Sequence, residues 1–159
     1  VRAIAFDKTP DANWFVPWHQ DRAIAVAARA EVAGFDRWTV KDGAPHVEPP
    51  VEFLEGMLTL RIHLDDCGED NGPLECIGGS HRHGRLAKSD IDRLVAEGPA
   101  KLCLCAQGDI LAIRPLTVHR SQRARLPAQR RVLHLEYATV YLPHPLAFDL
   151  ETAGTLTTH

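Results

Sequence analysis

Over residues 52–66 the chain alternates in character. Leu58, Leu60, Ile62 and Leu64 fall on one side, and Thr59, Arg61, His63 and Asp65 on the other. A period of two is that of a β-strand, whose successive side chains point to opposite faces. The apolar side is expected to pack outward against another layer. The polar side either meets solvent or, in a barrel, lines a wet interior. Shorter strand-like runs occupy 1–7, 13–21, 73–77, 101–105, 109–113, 117–120 and 131–141. Residues 23–30 fit strand or helix: alanine favours helix, while Ile24 and Val26 alternate. Residues 34–50, rich in Gly, Pro and charge, read as a long ordered loop. Turns are expected at 8–11 and 67–72, and a tight loop at Gly78-Gly79-Ser80-His81. Ser89, with Asp92 three residues on and Ile91, Leu94 and Val95 in helical spacing, predicts a short helix ending at Gly98-Pro99. The tail from Pro143 carries few signals and is expected to fray. Short, regularly spaced strands with one or two short helices and no βαβ alternation predict a mainly β fold, an antiparallel jelly roll.

Length and charge narrow the setting. The 159 residues suit one domain, 1–159, with a real core. A formal charge of −3, with no basic run or stripe, excludes nucleic acid and anionic membrane surfaces as expected partners. No apolar run is long enough to span a bilayer, and no signal peptide opens the chain, so a cytoplasmic placement is expected. Cys67, Cys76, Cys103 and Cys105 lack zinc-knuckle spacing and read as reduced thiols packed as small apolar side chains. The chain opens at Val1 with a strand already under way, which is read as the loss of an N-terminal part.

The candidate chemistry lies in Trp18-His19-Gln20-Asp21. In a strand, His19 and Asp21 project to the same side and offer one imidazole nitrogen and one carboxylate oxygen to a common point. His119, just beyond the turn and apolar run Gly108-Asp109-Ile110-Leu111-Ala112-Ile113, is the best candidate for a third ligand. Two histidines and a carboxylate with other positions left open form the arrangement used by non-haem Fe(II) oxygenases. Arg130 and Arg131 are not separated by periodicity: one faces in and one out, and either has the planar fork that suits a carboxylate. Arg61, His63 and Arg120 hint at a polar or anionic substrate.

These motifs, in this order, resemble the phytanoyl-CoA dioxygenase family of Fe(II)- and 2-oxoglutarate-dependent oxygenases. The likeness runs through Trp18-His19-Gln20-Asp21, Leu64-Asp65-Asp66 with Asn71-Gly72-Pro73-Leu74, and Gly79-Ser80-His81. It continues through Gly108-Asp109-Ile110-Leu111, His119, Ser121 and the run from Arg130 to Tyr137. The resemblance implies a double-stranded β-helix, cupin-like, with iron held by His19, Asp21 and His119. It implies that Arg130 grips the far carboxylate of 2-oxoglutarate with help from Ser121, that Gln20 lies near this cosubstrate, and that Arg61 stands where an aromatic often contacts it. It further implies an O2-dependent hydroxylation of a small-molecule substrate with release of succinate and CO2. The carboxylate at position 21 favours hydroxylation over halogenation. Two alternatives stand beside this: a cupin-like zinc or manganese enzyme that does not use 2-oxoglutarate, and an inactive metal-binding domain of the same fold.

Overall fold

The computed structural model describes residues 2–41, 43–126 and 128–149. Two four-stranded antiparallel sheets face each other. The first has β1 (Arg2–Lys8), β11 (Arg130–Ala138), β6 (Met57–His63) and β9 (Ile110–Ile113), in that order. The second has β2 (Val16–His19), β10 (His119–Ser121), β7 (Leu74–Ile77) and β8 (Ala100–Cys103). A third sheet of β3 (Ile24–Ala25), β5 (Ala44–Glu48) and β4 (Asp36–Lys41) extends the mouth. This is the jelly roll the alternating pattern predicts. Among the described residues no helix is long and apolar enough to cross a membrane.

The central strand β6 shows why the interior is wet. Thr59, Arg61 and His63 are buried, while Leu58, Leu60 and Ile62 are half-buried on the outer side. Its polar face therefore points into the barrel. Apolar packing is displaced to the flanks. One cluster, with Val26, Val47, Phe53, Leu54 and Leu116, lies beside the third sheet. The other joins Ile77, Ile91 and Val118 to Trp18 and α2 (Lys88–Glu97).

Several expectations are corrected. The 34–50 loop is the β4–β5 hairpin; β4 is largely exposed, so nothing forces its sequence to alternate in hydrophobicity. The start of the 52–66 run is helical: α1 (Val51–Glu55) precedes the strand and buries Phe53 and Leu54. Ser89 is not the helix cap; α2 begins at Lys88 after Ala87, without a side-chain cap. Lys8, expected in a turn, closes β1 and is fully buried. Residues 143–149 do not fray: Leu146 is buried in the first apolar cluster and Phe148 bridges to Val26. The remaining tail, 150–159, lies outside the described residues.

Candidate metal centre and its two cavities

His19 ends β2 and His119 begins β10, and the antiparallel register sets them directly opposite each other. Asp21 follows two residues after His19, its backbone N–H donating to Pro115 at 2.9 Å. The His19 Nε2–Asp21 Oδ1 separation is 3.4 Å and that of His119 Nε2–Asp21 Oδ2 is 3.7 Å. Both are shorter than the ~4.2 Å that two ligand bonds of ~2.1 Å can span. One ligand atom from each of the three residues lies within 4.8 Å of the others.

Both imidazoles are oriented in the same way. His19 Nδ1–H donates to the carbonyl of Pro17 and His119 Nδ1–H to that of Thr117, each at 2.8 Å. A proton held at Nδ1 leaves the Nε2 lone pair free for a metal. Burial alone would raise the Asp21 carboxyl, but the adjoining imidazoles of His119 and His19 outweigh it and hold it well below the usual carboxylate range. Burial lowers His119, keeping it neutral. His19 is raised despite its burial, because Asp21 accepts a hydrogen bond from its protonated ring. Once His19 gives up its proton, two imidazoles and an ionised carboxylate, with room on the cavity side, form a donor set that fits a divalent iron centre.

Behind the triad lies an inner cavity of about 240 Å³, lined among others by Phe6, Trp14, Arg61, Ser121, Arg130 and His134. Arg130 is 2% exposed, donates from Nη1 to the Gly72 carbonyl at 2.5 Å, and has a buried Nε without a partner. Arg131 faces outward, where it forms a two-pronged pair with Asp65 at 2.7 and 2.9 Å. The strand thus resolves which arginine points inward. Ser121 Oγ donates to Gly72 at 3.3 Å and faces Lys8 Nζ at 3.5 Å. Arg61 donates to His134 Nδ1 at 3.0 Å and stacks over Phe6.

The field here is strongly positive. Burial, with help from the Arg130 charge, pushes Lys8 down to about 8 and Arg61 down to about 10. Burial and both guanidinium groups push His63 down to about 4. Asp21 is the one carboxylate among the described residues lining this cavity.

Gln20 sits elsewhere than expected. Its amide is occupied by backbone: Nε2 donates to Leu116 at 2.7 Å and Gly84 at 2.8 Å, and Oε1 accepts from Leu86 N at 2.9 Å. It braces the ligand loop and is not among the residues lining the inner cavity. Arg120, expected near substrate, pairs with Glu75 at 2.8 and 3.0 Å and covers Trp18. Sequence reasoning did not single out Lys8 or His134 for the site. Parity could have found both: Lys8 follows Phe6 and Ile4 on one face of β1, and His134 follows Arg130 and Val132 on one face of β11.

A two-sheet jelly roll with a His-Asp-His cluster facing its interior defines a cupin-like fold with a candidate metal site. The chain belongs to the phytanoyl-CoA dioxygenase (PhyH) family, which matches residues 1–132. No curated protein matches the chain. Among solved structures it is similar to AviO1 from Streptomyces viridochromogenes Tue57, at 28% identity and a TM-score of 0.58 over 87% of this chain and 50% of that one. It is also similar to EvdMO1, at 26% identity and a TM-score of 0.58 over 85% of this chain and 26% of that one. EctD from S. alaskensis shares the fold at 18% identity and a TM-score of 0.59, over 87% of this chain and 45% of that one. The chain therefore spans half the length of these proteins or less.

Proposed function

We propose that this chain is a Fe(II)- and 2-oxoglutarate-dependent dioxygenase domain that hydroxylates a C–H bond of a small molecule. One observation carries this: the triad and two buried guanidinium groups face a single cavity in which the only carboxylate among the described residues, Asp21, belongs to the triad. Buried cations without counter-charge are costly, and a dicarboxylate would relieve that cost while using the unpartnered Nε of Arg130.

His19, Asp21 and His119 would hold the iron. With 2-oxoglutarate and O2 bound, that group supplies the oxidation, ending in succinate, CO2 and a hydroxylated product. Every other task falls to the chain. Arg130 anchors the far carboxylate, with Ser121 and Lys8 closing the same end. Arg61, held against Phe6 by His134, adds a second positive charge beside it. Phe6, Trp14 and Leu74 exclude water from the remaining wall. Because position 21 carries a carboxylate, the site supports hydroxylation rather than capture of a halide.

The test is an anaerobic titration with Fe(II) and 2-oxoglutarate, followed by an assay for succinate after air is admitted. A weak visible charge-transfer band and succinate formation are expected, both lost in His119→Ala. Tight zinc or manganese binding without either signal would refute the proposal in favour of a cupin-like enzyme of other chemistry. Metal binding with no turnover of any kind would favour an inactive domain.

A further inference from the structure

Two of the three triad residues, His19 and Asp21, also border a second, outer cavity of about 400 Å³, which shares them, Phe6 and His134 with the inner one. That volume lies in the range of small-molecule sites, ~300–1,000 Å³. His19 and Asp21 thus stand in the partition between two chambers, and the outer one is open to a substrate.

Its charges are unbalanced. Arg2, Arg22, Arg37 and Lys41 line it, against Glu48 and Glu136 beyond the triad's own Asp21. Glu48 is heavily shared: Arg22 lies at 2.9 Å, Arg85 at 3.6 Å and Arg37 at 3.9 Å. Glu136 accepts from His134 at 3.4 Å. Arg2 meets no carboxylate among the described residues. It donates to His46 Nε2 at 3.1 Å, and its buried Nε has no partner. His46 can accept because its Nδ1–H is fixed on the Ala44 carbonyl at 3.0 Å and burial keeps the ring neutral. Lys41 has no ion-pair partner among the described residues.

The hairpin is shaped to present these groups. Arg37, Thr39 and Lys41 are successive same-parity residues of β4, and all three line the cavity. The β4–β5 register shifts between Asp36 and Thr39, and Arg37 there has a φ of 53°, in the left-handed region that side chains rarely adopt. Such bulges re-aim a side chain, and strain of this kind persists where the surroundings hold it.

We propose that the outer cavity binds a small polar substrate through an oxyanion group, clamped by Arg37 and Lys41 of the hairpin and Arg2 of β1, with the bond to be oxidised directed at the triad. This rests on the oxygenase reading for what happens to the substrate, but not for how the anion is held. Carboxylate, phosphate and sulfate share the recognising chemistry: a compact negative group that accepts from forked N–H donors.

The test uses the full chain loaded with Zn(II) and saturating 2-oxoglutarate, with glycerol, glycerate and glycerol 3-phosphate as probes followed by ligand-observed saturation-transfer NMR. At least one of the two anions is expected to bind and glycerol is not; which anion binds distinguishes a carboxylate from a phosphate source. The double variant Arg37→Gln, Lys41→Gln is expected to weaken that binding at least tenfold, with 2-oxoglutarate affinity within about twofold of the parent. Both positions are exposed, and a melting curve checks that the hairpin is retained. Equal binding of all three probes, binding of none, or anion binding that survives the double variant would overturn the proposal. If 2-oxoglutarate fails to bind while the anions still depend on Arg37 and Lys41, the oxygenase reading falls and the anion clamp stands.

Discussion

Replacing Gly72 with alanine should damage the fold and the inner cavity together. Gly72 has a φ of 62°, and a Cβ there would lie 2.7 Å from the Gln122 carbonyl oxygen, 3.1 Å from Lys8 Nζ and 3.2 Å from Ala124 N. Two of these neighbours are backbone and cannot swing aside. The left-handed conformation costs an alanine ~1–2 kcal/mol, and forcing a methyl into a packed site costs ~1–3 kcal/mol more. A total of ~2–5 kcal/mol corresponds to a fall in Tm of ~6–15 °C for a domain of this size. Gly108 supplies the control: its φ is 91°, but nothing lies within 4 Å of its Cβ position. Gly108→Ala should therefore lose only the conformational part, about 3–6 °C. The Gly72 carbonyl also accepts from Arg130 and Ser121. Displacing it should weaken 2-oxoglutarate about tenfold in Gly72→Ala, the effect of ~1.4 kcal/mol, and leave it unchanged in Gly108→Ala. Thermal melts and binding isotherms on the two variants read both effects. Equal losses of Tm, or an undisturbed 2-oxoglutarate affinity in Gly72→Ala, would refute the reasoning.

Three further outcomes are expected. Arg130→Gln should weaken 2-oxoglutarate by about 100-fold, in line with loss of one member of a buried charge pair, while Arg131→Gln, exposed and paired with Asp65, stays within about twofold; calorimetry distinguishes them. Lys8 has a pKa of about 8 when folded against 10.5 when free, so the unfolded chain holds more protons between those values and the ligand-free protein should gain stability as pH rises from 8 to 10. The gain over that window is ~2 kcal/mol, and urea denaturation should find it missing from Lys8→Met. Metal affinity should weaken as pH falls through the raised pKa of His19, since that ring must shed a proton before it can coordinate; a competition titration with a metal-sensitive dye should show the decline beginning above the ordinary imidazole value.

What the sequence made legible followed from period and sign. The residues of 57–63 alternate so regularly that both the strand and its polar face could be read, and burial of Arg61 and His63 resolved whether that face met solvent or cavity. His19 and Asp21 were legible as a pair from their spacing, although β2 ends at His19 and Asp21 lies just beyond the strand that was expected to carry both. Other features left weaker traces. β4 is almost wholly exposed, so its hydrophobic pattern carries no strand signal; the Asp42-Gly43 step was the available clue to a hairpin. Lys8 looks like a turn residue beside Thr9-Pro10, and only the facing strands bury it. Gln20 sits inside the ligand motif, yet its three backbone partners come from Gly84, Leu86 and Leu116, contacts that no local pattern encodes. Leu146 and Phe148 likewise find their places only against a core assembled from distant segments.

The exposed pair of Arg131 and Asp65 has a consequence out of proportion to its stability. Asp65 accepts from the backbone N–H of Arg131 as well as from its guanidinium, at 2.8, 2.9 and 2.7 Å. Two adjacent arginines would trade places if β11 slid by a single residue, since parity alone decides which one enters the barrel. A carboxylate fastened to one of them at both main chain and side chain works as an index mark, keeping the strand from seating one notch out of step.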